Sequence, residues 1–159
     1  MILLTAFKGE CNSSKLLLDK VCDDNIVKKL LTNSFGSCER EIVQYICEYD
    51  PEYVISFGQK PHSDCLYIEP TACHNGVCID TDFDVSNLQS SLNRSGIACT
   101  VSDKPTAYLC NHAYFFGLDL IQKSRLNTKM VFIHLPSVRQ FQNIDSVARW
   151  VSNFCRNHS

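Results

Sequence analysis

Short, largely apolar runs alternate along this chain with longer stretches of helical periodicity, and that alternation narrows the possible folds more than any other feature. Residues 2–7 (ILLTAF), 53–57 (YVISF), 65–69 (CLYIE), 97–101 (IACTV) and 130–135 (MVFIHL) are too short for buried helices. They lack polar alternation, so they read as strands covered on both faces. Between them, apolar residues recur at helical spacing: Leu16, Leu17, Leu18 and Val21; Ile42, Val43, Tyr45 and Ile46; Leu88 and Leu92; Leu109, Ala113, Phe116 and Leu120; Ile144, Val147, Ala148, Val151 and Cys155. Strand–helix alternation of this kind predicts an α/β fold: a three-layer α/β/α open sheet, mostly parallel, with helices on both faces. No repeat, low-complexity tract or linker interrupts residues 1–159, so one domain is expected.

Local signals refine the pattern. Ser13 or Ser14 is expected to cap the first helix and Ser37 the second, which Asp50-Pro51 ends. Asn75-Gly76 predicts a tight hairpin between TAC and VCID. Asp84 is expected to cap a helix closed by Gly96. A further helix is expected over 106–123, beginning near Pro105 or Thr106, while Asn25–Thr32 fits either a strand or a helix.

Charge excludes some classes of partner. The formal net charge is −2 and the pI about 6.2. No basic stripe suggests nucleic acid and no polybasic run suggests an anionic membrane. The first strand lacks the charged leader of a secretory signal, so a cytoplasmic location is expected. The ten cysteines are expected to be mostly small buried hydrophobes in a reducing cell, Cys47, Cys65, Cys99 and Cys155 among them. Cys73, His74 and Cys78 match no common zinc spacing.

Open α/β sheets gather their sites beyond the carboxyl ends of the strands. Glu69 and His134 fall at strand ends, and Cys110 in the first turns of a helix that follows a strand. A cysteine attacks as its thiolate, which a helix N-terminus or a neighbouring imidazolium favours. His134 could take the thiol proton, and Glu69 could hold the other ring nitrogen. On spacing alone, Cys110 could equally be an inert core thiol, His134 a strand-end histidine bonded to backbone, and Glu69 a solvated carboxylate.

Four segments point further. Tyr108-Leu109-Cys110-Asn111 resembles the G-x-Y-x-C-N nucleophile segment of the pyroglutamyl-peptidase I family. Phe132-Ile133-His134-Leu135-Pro136 resembles its histidine strand. Phe57-Gly58-Gln59, followed by Glu69, resembles its G-Q…E segment, and ILLTAF its first strand. The resemblance implies an open α/β/α sandwich and removal of N-terminal pyroglutamate through a thioacyl intermediate, without metal or cofactor. It implies Cys110 as nucleophile, His134 as base and Glu69 as orienting acid. Phe7 would form one wall against the lactam, Gln59 would contact the lactam through its backbone, and Tyr108 and Leu109 would line the pocket.

The sequence also departs from that family. Phe7-Lys8-Gly9-Glu10 lacks the second phenylalanine of the ring clamp. Pro61-His62-Ser63-Asp64 and Glu69-Pro70 lack arginines, and the stretch between Glu69 and Cys110 is short. Three readings follow: a pyroglutamyl peptidase of reduced form, a cysteine amidase or deamidase-like enzyme of altered specificity, and a non-catalytic binding module retaining the fold. The expected partners are a peptide or small amide, with a homo-oligomer possible and neither nucleic acid nor membrane.

Overall fold

The structure is a computed structural model that describes residues 1–23 and 25–158; Asp24 and Ser159, which the single-domain reading of 1–159 takes in, lie outside the described residues. In chain order the elements are β1 (Ile2–Phe7), α1 (Ser13–Lys20), β2 (Ile26–Leu31), α2 (Phe35–Tyr49), β3 (Tyr53–Gln59), β4 (Leu66–Glu69), β5 (Thr71–His74), β6 (Val77–Asp80), α3 (Val85–Arg94), β7 (Cys99–Val101), α4 (Leu109–Ser124), β8 (Lys129–Leu135) and α5 (Ile144–Asn157).

Six strands form one sheet in the order β2-β1-β3-β8-β4-β7, and β5 and β6 form a separate hairpin. Every neighbour pair in the large sheet is parallel except β4 with β8. The apolar runs of β1, β3, β4 and β8 therefore sit in strands covered on both faces, whereas the run ending in β7 lies half-buried at the sheet edge. Ile2, Leu4, Ala6, Ile55, Phe57, Val131 and Ile133 face one cluster, with Leu17 of α1, Leu88 of α3 and Val151 of α5. Leu3, Phe7, Val54, Met130 and Phe132 face the other, with Ile42 of α2 and Ala113 and Leu118 of α4. The three-layer α/β/α architecture expected from the sequence is the one observed.

The hairpin turn falls on Asn75-Gly76, whose φ values of 48° and 79° are the left-handed pair that a tight two-residue turn requires. Asp84 caps α3 by accepting a hydrogen bond from the Asn87 amide. Residues 26–31, ambiguous by pattern, form β2, because parallel pairing with β1 supplies their backbone hydrogen bonds.

Several expectations are corrected. Asn12, not Ser13 or Ser14, caps α1, its carboxamide oxygen accepting from the Ser14 amide at 3.0 Å. Ser34, not Ser37, precedes α2, which begins three residues sooner than expected. Helix α4 begins later than expected, at Leu109, which places Cys110 at its second position. The cysteines are less uniformly buried than expected. Cys38 and Cys155 are buried, Cys65 and Cys99 half-buried, and Cys11, Cys22 and Cys47 exposed. Cys47 follows Cys38, Ile42 and Ile46 by one residue too many to share their inward face. Cys73 and Cys78 stand opposite each other in the hairpin and form a disulfide across it.

Candidate active site

Register decides which side chains meet. In the β3–β8 pair, Gly58 stands beside His134 and Ser56 beside Phe132, so Gly58, Phe132 and His134 point to the face covered by α2 and α4. In the β4–β8 pair, Glu69 stands opposite Phe132, one diagonal step from His134. That diagonal is closed by a hydrogen bond: His134 Nδ1 lies 2.7 Å from Glu69 Oε1. Both side chains are buried, each residue 4% exposed. A carboxylate only accepts, so the contact fixes the proton of a neutral His134 on Nδ1 and leaves Nε2 as the basic nitrogen.

Cys110 approaches the same face from α4. Its sulfur lies directly over Gly58, where an added Cβ would fall 2.6 Å from Sγ and 2.9 Å from the Phe132 ring. Only a residue without a side chain permits the thiol this position. Helix α4 itself comes close to the sheet through Gly117, against which Met130 packs. Thiol and imidazole thus lie on the same face of the sheet, Cys110 over Gly58 and His134 on the neighbouring strand.

Burial above all, then the negative charge of Glu69, pushes the Cys110 thiol up to about 12. The expectation that the helix N-terminus would acidify the resting thiol is therefore corrected. The backbone hydrogen bond at Cys110 acts in the acidifying direction but is the smallest influence. At the head of α4 no side chain caps the helix, and its first backbone bond is the one from the His112 amide to the Tyr108 carbonyl. The leading amides are consequently open to an anion.

Asn111 docks the hairpin beside this helix. Its side chain donates to the Cys73 carbonyl at 2.7 Å and accepts from the Cys73 amide at 2.9 Å. Tyr114 donates to the Glu69 carbonyl at 3.0 Å, and Ser102 donates to Glu69 Oε1 at 2.8 Å. A crevice of about 10 Å³ lies between Glu69, Thr106, Asn111, Tyr114, Phe132 and His134. Glu69 Oε2 and Thr106 Oγ1 are buried, with no hydrogen-bond partner among the described residues. No group of three or more His, Cys, Asp or Glu among them is arranged to hold a metal ion.

Phe7 is buried in the apolar cluster that Cys110 and Leu109 pack against. Gln59 closes β3, and its side chain accepts from the Ser13 amide at the start of α1. Tyr108 is 74% exposed, immediately before α4. Ser102 and Tyr114 were not singled out in the sequence; nothing in spacing distinguishes them. Gly58 and Asn111 stand inside the quoted motifs and could have been found there.

The sequence profile of the pyroglutamyl peptidase family matches residues 69–157, which include Glu69, Cys110 and His134. The chain belongs to this family. Pyrrolidone-carboxylate peptidase of Fusobacterium nucleatum is 24% identical over 77% of this chain and 67% of its own length. Pyrrolidone-carboxylate peptidase 2 of Caldanaerobacter subterraneus is 27% identical over 85% of this chain and 80% of its own. The fold resembles that of a mutant pyrrolidone carboxyl peptidase from Pyrococcus furiosus, with a TM-score of 0.85 at 15% identity over 98% of this chain and 96% of that one. It also resembles pyroglutamyl peptidase I from Bacillus amyloliquefaciens, with a TM-score of 0.83 at 17% identity over 95% and 92% of the two chains. Family members are hydrolases, and among the described residues no helix is long and apolar enough to cross a membrane.

Proposed function

We propose that this protein removes N-terminal pyroglutamate from peptides by thiol attack on the amide, with Cys110 as nucleophile, His134 as base and Glu69 orienting the imidazole. The observation that carries the proposal is the buried 2.7 Å contact between His134 Nδ1 and Glu69 Oε1, on the face to which α4 delivers Cys110. A thiol pushed to about 12 by burial stays protonated at neutral pH and needs a base beside it. His134 Nε2 takes that proton as sulfur forms a bond to the lactam-bearing carbonyl carbon. The oxyanion settles on the leading amides of α4. Collapse expels the peptide amine, which receives the proton from the imidazolium. Water, deprotonated in turn by His134, then hydrolyses the thioacyl group.

Phe7 supplies one apolar wall for the lactam ring, the Gln59 backbone its polar contact, and Tyr108 and Leu109 the outer lining. The missing second phenylalanine after Phe7 and the absent arginines at 61–64 and 70 favour a second reading, a cysteine amidase with a different acyl preference. Residues 1–159 would act as one catalytic domain in the cytoplasm, alone or as a homo-oligomer, without a cofactor. The test is release of a chromophore from a pyroglutamyl amide, abolished by Cys110→Ser. Turnover of other acyl amides but not this one selects the second reading. Absence of any Cys110-dependent turnover by folded protein overturns both.

A further inference from the structure

We infer that Ser102 is a positioning residue for the His134–Glu69 pair, its hydroxyl holding the Glu69 carboxylate in the orientation that meets the imidazole. The inference rests on the catalytic reading above and adds a group to it. Ser102 is the first residue beyond β7 and is 8% exposed. Its Oγ donates to Glu69 Oε1 at 2.8 Å, the same oxygen that receives His134 Nδ1 at 2.7 Å. The Ser102 amide donates to the Ile68 carbonyl at 2.9 Å, so the sheet fixes where the hydroxyl stands. Because β7, β4 and β8 are neighbours, two donors reach the Glu69 carboxylate of β4 from either side: Ser102 just past β7 and His134 of β8.

The second oxygen of Glu69 has no partner among the described residues. A carboxylate held by one donor can pivot about that contact, whereas two donors converging on Oε1 from the two sides of β4 restrict its orientation. Since a carboxylate cannot donate, both Ser102 and Nδ1 must, which keeps Nε2 free for the thiol proton. Orientation of the base through a neighbouring hydrogen bond is the kind of support that a preorganised site depends on.

The experiment compares Ser102→Ala and Ser102→Thr with the parent protein by three measurements. Proton NMR reads the exchange-protected Nδ1–H of His134, steady-state kinetics on a pyroglutamyl amide read kcat and KM, and thermal melting reads the fold. Expected for Ser102→Ala is loss or broadening of the Nδ1–H signal. Its kcat should fall on the order of 10- to 100-fold at unchanged KM, the span of one hydrogen bond to a charged group. Ser102→Thr, which keeps the hydroxyl, should restore both. Retention of the Nδ1–H signal and kcat in Ser102→Ala, or equal losses in both variants, overturns the inference. The NMR signal needs no substrate, so a parent protein that turns over nothing refutes the catalytic reading while Ser102 is still judged on the Nδ1–H signal.

Discussion

At the scale of single residues, the site is held by absences as much as by groups. Gly58 has no positive φ to explain it; what excludes a side chain there is the sulfur of Cys110 and the ring of Phe132. Gly58→Ala should therefore displace the thiol and overfill the core, costing about 1–3 kcal/mol of stability. Chemical denaturation would read that loss, and amidase turnover should fall well beyond what the lost stability explains. A variant that keeps full turnover would mean that the sulfur need not lie over β3. Glu69→Gln keeps shape while removing the charge that stabilises an imidazolium. It should lower kcat on the order of 10²–10⁴-fold with an unchanged circular dichroism spectrum. Cys110, His134 and Glu69 stood out in the sequence as candidates because each sits in a distinctive short motif. Ser102 did not, since a serine after a strand is common and its meaning depends on β7 lying beside β4, a pairing that no local pattern encodes.

At the scale of elements, the strands were easier to read than the helix ends. Apolar runs such as 130–135 carry their own evidence of burial, and β8 extends that run by one residue only. Caps depend on which oxygen reaches which amide. Asn12, Ser13 and Ser14 all qualify by type, and only the backbone at Asn12, extended at φ −93° and ψ 117°, selects it. The hairpin turn was legible from Asn75-Gly76, but its disulfide was not, because Cys73 and Cys78 become opposite only once the register is set. That bond closes a short loop, so replacing both cysteines with serine should cost about 2 kcal/mol, measured by urea unfolding. Asn111 grips the Cys73 backbone and not its side chain. The docked hairpin, and with it turnover, should consequently survive in the double variant. Loss of activity out of proportion to stability would show that the disulfide itself shapes the site.

At the scale of the whole molecule, the thiols packed against the sheet, Cys38 and Cys155 buried and Cys110 half-buried, tie stability to pH. Burial raises Cys38 to about 11 and Cys110 and Cys155 to about 12, against 9.0 for an unhindered thiol. It raises the Tyr114 hydroxyl as well. Between pH 9 and the folded values, the unfolded chain has released these protons while the folded protein retains them. The folded state then binds more protons than the unfolded one, and stability must fall as pH rises. The contribution of the neutral thiols is fully present below pH 9 and declines progressively above it. The melting temperature should accordingly be level from pH 7 to about 8.5 and drop steadily toward pH 11. Replacing Cys38 and Cys155 with alanine removes two of the three thiols, one on each side of the sheet. This variant should be less stable at pH 7 because it leaves cavities, but its melting temperature should decline less steeply in alkali. Equal alkaline slopes in the two proteins would mean that Cys38 and Cys155 are not kept neutral by the fold.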